Sequence, residues 1–185
     1  MGDAVTLGRI PDVELIHAGT WPISTGVWTA TIEDLAAAVD ALSCPAVRAP
    51  VLKLGHSSPM PIGDGEPAVG WVGAMRVADD GRTLVGDYEG MPGWLAEVCA
   101  SAYPDRSIEG QYGFKCQIGH VHPFVVEAVA LLGVTPPGVG TLASLQDVAA
   151  LYGVEAAADN DGTRVTVRVE GSGMPQVAAG VTVED

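Results

Sequence analysis

Four histidines and three cysteines are all the imidazole and thiol chemistry in this chain, so each can be weighed against its neighbours. His56 closes the apolar run APVLKLGH and opens a Gly-, Pro- and Ser-rich stretch, SSPMPIGDGEP. A strand end of this kind holds a side chain on one side and leaves it open to substrate on the other. His17 sits inside the alternating stretch DVELIHA and reads as a structural residue. His120 and His122 stand as H-V-H in a turn. That spacing can chelate a metal, but no cysteine or carboxylate pattern completes a ligand set, so an exposed turn is expected and no metal. Cys44, Cys99 and Cys116 are odd in number and form no C-x-x-C pair, which argues against a disulfide framework or a zinc knuckle. Cys44 and Cys99 read as core on helix faces, and Cys116 has only Lys115 to favour a thiolate. All three are expected to be free thiols in a reducing compartment. Ser107 begins a strand after Tyr103-Pro104-Asp105-Arg106 and by composition alone is an ordinary strand-edge serine. No G-x-S-x-G elbow, phosphate-binding loop or dinucleotide fingerprint is present, and no cofactor is expected.

The elements that must position these residues follow from periodicity and turn signals. Thr31 opens a helix over 31–43, with Asp34 placed for a capping box and Pro45 as the stop. A second helix is expected over 92–102, with Pro92 in its first turn, and a third over 141–152. Strands are expected at 12–18, 49–56, 69–77, 83–89, 106–118 and 124–134, with Asp79-Asp80-Gly81-Arg82 turning a hairpin. The interleaving predicts an α+β domain: a mostly antiparallel β-barrel or bent sheet flanked by about three helices. It should span residues 1–153. Residues 154–185 read as a linker and tail, with an edge strand at 164–170.

Composition narrows the function further. The 185 residues are 48% hydrophobic and 17% charged, a core-forming balance. A net charge of −14 argues against nucleic-acid binding, which needs clustered Lys and Arg, and against a polybasic membrane contact. The start MGDAVTLGRIPDVEL has neither a basic nor an apolar signal region, and the apolar runs are too short and broken to span a bilayer. A protein that is not secreted is expected.

The order of segments carries a resemblance. APVLKLGH at 49–56, GWV at 70–72, the DDGRTL hairpin, the helix opening MPGWL, YPDRSIEG at 103–110 and VALLGVTPP at 129–137 occur in series. This series resembles the prohead (capsid maturation) proteases of tailed phages, the Mu-type protein I group, which are related in fold to herpesvirus assemblins. It covers about residues 10–150. The resemblance implies a serine endopeptidase that cleaves scaffolding-protein and capsid-protein segments, and its own termini, inside the assembling prohead in the host cytoplasm. Its partners would be the major capsid protein and the scaffolding protein, and self-association into a homo-oligomer is compatible with that role. The competing reading is a non-catalytic phage head structural or scaffold-fusion protein that retains the fold.

Residue by residue, the resemblance makes His56 the base and Ser107 the nucleophile. The physical need is clear, because a serine hydroxyl is a poor nucleophile until an imidazole takes its proton. In the relatives a His, Asp or Glu just before the V-A-L strand orients the base. Here the aligned positions are Ala128 and Ala130, which carry no polar group. Glu127 is one residue away, on the opposite strand face unless a bulge turns it, and is the preferred third member. His122 is the alternative, and a Ser–His dyad the remaining option. The loop TPPGVG supplies the oxyanion candidates Gly138, Val139 and Gly140, since its prolines have no N–H to donate.

Overall fold

The computed structural model describes residues 6–23, 25–56 and 67–146. Within them the chain forms β1 (Leu7–His17), β2 (Gly19–Ile23), β3 (Gly26–Ala30), α1 (Ile32–Ala41), β4 (Val51–Leu54), β5 (Trp71–Val77), β6 (Thr83–Pro92), α2 (Gly93–Ala102), β7 (Asp105–Lys115) and β8 (Val121–Leu132). Six strands make one sheet in the order β1-β6-β5-β4-β8-β7, and β2 and β3 pair separately as a hairpin. Only β4 and β8 run parallel; the other pairs are antiparallel.

The architecture is thus α+β, as the alternation of patterns implies. Among the described residues the sheet is mixed and open: β1 and β7 are its two edges and no backbone ladder closes a barrel. Two helices are seen among the described residues. The third, expected over 141–152, and the edge strand at 164–170 lie wholly or mostly outside the described residues. Residues 19–23 and 26–30, for which the sequence pattern gives no element, pair as β2 and β3, with Trp21 opposite Trp28.

Local chemistry explains where the helices begin. The Thr31 hydroxyl accepts from the Asp34 amide at 3.1 Å, and the Asp34 carboxylate accepts from the Thr31 amide at 2.9 Å. This reciprocal capping box satisfies two amides that the helix cannot. Leu35, Ala38 and Ala41 then fall on one buried face of α1, which packs with Leu52, Phe124, Val126, Val129 and Leu131 in the core. α2 lies so close to β1 that a β-carbon on Gly8 would meet the Ala96 β-carbon at 2.2 Å.

The two sheet edges approach each other through one side chain. Arg106 on β7 is 1% exposed. Its Nε donates to the Glu14 carbonyl on β1 at 2.6 Å, and its guanidinium also donates to the Ala143 carbonyl. The Ala143 amide in turn donates to the Glu14 carboxylate at 2.7 Å. A curled sheet is therefore laced shut by Arg106 instead of by a strand ladder. Burial lowers the Arg106 pKa, while Tyr88, Glu14 and Asp105 support its charge. The same burial raises the Cys99 thiol to about 11, which marks that cysteine as a packing residue.

Replacing Arg106 by Ala takes the guanidinium donor from two part-buried carbonyls, those of Glu14 and Ala143. Each orphaned group costs about 1–3 kcal/mol, so Arg106→Ala should lower the unfolding free energy by about 3 kcal/mol. Urea denaturation measures this, and a loss below about 0.5 kcal/mol, the range of an inert surface change, would refute the lacing role.

Candidate active site

Strand register sets the stage for the polar cluster. Lys53 on β4 is opposite Ala130 on β8, and Ala130 is opposite Ser107 on β7. One row along, Val51, Ala128 and Glu109 line up in the same way. Residues directly opposed across a sheet, and residues two apart on one strand, share a face. Lys53, Ser107, Glu109, Ala128 and Ala130 therefore share one face, and Leu52, Arg106 and Ile108 point the other way, into the core.

The two alanines have a physical role. Strands are about 4.8 Å apart, so β4 and β7 are separated by roughly 10 Å across β8. The fully buried methyl groups of Ala128 and Ala130 leave room for the long Lys53 side chain to cross. Its Nζ lies 3.1 Å from both Glu109 oxygens. Lys53 is 7% and Glu109 12% exposed at the side chain, so the ion pair is screened little by water.

His56 completes the cluster from above. The β4–β8 ladder continues to Gly55, whose amide donates to the Leu131 carbonyl at 3.0 Å. Gly55 then adopts φ +66°, a left-handed conformation open to glycine, and the chain leaves the sheet. His56 Nδ1 lies 2.6 Å from Glu109 Oε1, while its side chain stays 43% exposed. A ring whose Nδ1–H donates to a carboxylate presents Nε2 as the basic atom. The imidazole is thus held over the face that carries Ser107, two residues along β7 from Glu109.

The structure brings His56 and Ser107 to one face through β7, with β8 lying between their strands. It places the other expected residues elsewhere. Glu127 is not the carboxylate on His56; Glu109 is. Glu127 marks a register irregularity, because β7 advances from Glu109 to Gly110 while β8 advances from Ala128 to Val126. The bulge turns Glu127 towards the charged face. Burial, and then the Glu109 charge, raise its pKa. It lines a groove of about 560 Å³ with Pro45, Val47, Val51, Phe114 and Val125, adjacent to the Val51–Ala128–Glu109 row.

His122 is remote from His56 and joins a different cluster. Its ligand atom, with those of Cys44, Cys116 and His120, forms a group of four lying within 4.8 Å of one another. His120 is exposed as expected of a turn, but His122 Nε2 is buried without a hydrogen-bond partner. Gly138, Val139 and Gly140 also lie apart from the cluster. Gly138 is close to Ile23, Thr141 Oγ1 is 2.7 Å from His17 Nδ1, and Ala143 is tied to Arg106. Arg106 points away from the Ser107 face, so these bonds anchor the segment on the opposite side of β7, and no oxyanion role is assigned to it.

Comparison of the chain with protein-family models, with curated proteins and with solved structures finds no match.

The raised Glu127 pKa has a consequence for stability. A carboxyl that holds its proton more tightly when folded favours the fold below its unfolded pKa, about 4.3, and loses that contribution as pH rises through the window to the folded value. Glu127→Gln should remove this loss. Its stability relative to the parent, followed by urea unfolding, should increase from pH 4 to pH 7. A constant difference across that range would contradict the placement of Glu127 beside Glu109.

Proposed function

We propose that the chain is a serine endopeptidase whose catalytic residues are Ser107, His56 and Glu109. The observation that carries this reading is the 2.6 Å contact of His56 Nδ1 with Glu109, on the strand face shared with Ser107. Ser107 Oγ would attack the scissile carbonyl as His56 Nε2 takes its proton. Glu109 would hold the ring in the required tautomer and stabilise the imidazolium that forms. The imidazolium then gives the proton to the leaving amine, and a water activated by the same imidazole releases the acyl group. Lys53 is a positioning residue in this scheme. Its ion pair fixes the Glu109 carboxylate and balances the charge that Glu127 places nearby.

The substrate class rests on the resemblance of the ordered motifs to prohead proteases. On that basis the substrates are extended segments of the scaffolding and major capsid proteins, cut during prohead maturation, together with the chain's own termini. The groove lined by Val51, Phe114, Val125 and Glu127 offers an apolar wall for such a peptide. This reading keeps the site of action inside the assembling prohead. No described helix is long and apolar enough to cross a membrane.

A fluorophosphonate probe tests the nucleophile directly. It should label one residue, Ser107, with the mass of the covalent adduct on the peptide containing it. Ser107→Ala should abolish both labelling and cleavage of scaffolding protein with the fold intact, and His56→Ala should do the same. Glu109→Gln should slow cleavage by about 10⁴-fold, as expected when the base loses its orienting carboxylate, and Glu127→Gln should stay within a few fold of the parent. Full cleavage by Ser107→Ala would overturn the mechanism. Absence of both labelling and cleavage in the parent chain would favour a structural head protein that retains the fold.

A further inference from the structure

The β7–β8 turn brings together a second set of chemically reactive groups, unrelated to the serine cluster. Cys116 directly follows β7, and His120 and His122 flank the first residue of β8. Cys44 arrives from the loop after α1, which ends at Ala41. Both cysteines are buried and unpaired by a disulfide. Their sulfurs are 3.9 Å apart, and Cys44 Sγ is 3.6 Å from His120 Nδ1. A disulfide requires about 2.05 Å, so the sulfurs are not bonded to one another.

These separations fit a common centre. Zinc binds thiolate sulfur at about 2.3 Å and imidazole nitrogen at about 2.0–2.1 Å in tetrahedral geometry, which puts neighbouring sulfurs roughly 3.8 Å apart and sulfur and nitrogen roughly 3.6 Å apart. The fourth group also requires a partner. His122 Nε2 is a buried polar atom with none, an arrangement that costs free energy unless a donor or cation meets it.

We propose that Cys44, Cys116, His120 and His122 bind one zinc ion in a closed Cys₂His₂ site. Two thiolates and two neutral imidazoles match the ion's softness and cancel its charge, which suits a partly buried site. Four protein ligands leave no position for a substrate, so the ion is structural. It lies seven or more residues along the hairpin from Ser107, roughly 23 Å at strand rise. What it joins is informative. The loop after Cys44 and the strand end before Cys116 supply Pro45, Val47, Phe114 and Lys115 to the 560 Å³ groove. The metal therefore clamps together the two walls of that groove.

The test uses the full chain without a histidine tag, expressed in zinc-supplemented medium and purified under reducing conditions. Native mass spectrometry should show one zinc per chain. Replacement by cobalt(II) should give the strong visible bands of a tetrahedral site together with near-ultraviolet thiolate-to-cobalt charge transfer. Cys44→Ser should weaken zinc binding by more than about 100-fold, beyond what loss of an outer-shell partner costs, and Cys99→Ser should leave it unchanged. The cobalt spectrum of the parent keeps the test valid if Cys44→Ser fails to fold. A chain that stays metal-free after zinc addition would overturn the site. So would loss of two mass units by Cys44–Cys116 oxidation in the protein as isolated, or a weak, octahedral cobalt spectrum. None of these outcomes depends on whether Ser107 is a nucleophile.

Discussion

One carboxylate organises the charged face of this sheet. Glu109 accepts from Lys53 on β4 and from His56 just beyond it, while itself standing on β7. A buried carboxylate needs such partners, because desolvation without them is costly. The arrangement in turn requires a flat corridor across β8, and Ala128 and Ala130 supply it. A larger residue at either position would stand between Lys53 and Glu109. Gly55 adds the second requirement, a left-handed turn that takes His56 off the strand. Ser107 then needs no special device. It is two residues from Glu109 on an extended strand, and period-two alternation puts it on the same face.

The opposite face of β7 shows why this strand can serve as a platform. Arg106 lies between Asp105 and Ser107 in sequence but is buried, and it lashes β7 to β1 and to the segment around Ala143. The strand is thus held from the core side by a guanidinium and from the outer side by the Lys53–Glu109 pair. The β7–β8 hairpin carries both polar clusters, the serine site near its base and the Cys–His cluster at its turn. One long hairpin can hold two sites because its ladder, from Asp105–Leu132 to Lys115–Val121, is interrupted only at the Glu127 bulge.

Much of this was legible in the residues. Thr31 and Asp34 announce α1, Asp79-Asp80-Gly81-Arg82 announces the β5–β6 hairpin, and alternating apolar runs announce the remaining main strands. The open, mixed character of the sheet was not legible, because closure depends on how far a sheet curls and on Arg106 reaching across. For the orienting carboxylate the ordered motifs point to the residues just before the V-A-L strand, and so to Glu127. The signal for Glu109 was present nonetheless: S-x-E on a strand places both side chains on one face. The bulge that redirects Glu127 follows from pairing register, which a single strand does not encode. The Cys–His cluster was half visible, since Cys116, His120 and His122 share one short turn. Its fourth member, Cys44, is 72 residues away in sequence, and only the packing of the α1 loop on the hairpin brings it in.

The orientation of the His56 base by Glu109 is open to direct observation. Nitrogen-15 NMR of the imidazole, recorded above its titration, distinguishes the tautomer with the proton on Nδ1 from the one with it on Nε2. If Glu109 holds the ring, His56 carries its proton on Nδ1 in the parent chain, loses that preference in Glu109→Gln, and keeps it in Glu127→Gln. A His56 protonated on Nε2 in the parent, or a tautomer that follows Glu127 and ignores Glu109, would contradict this arrangement.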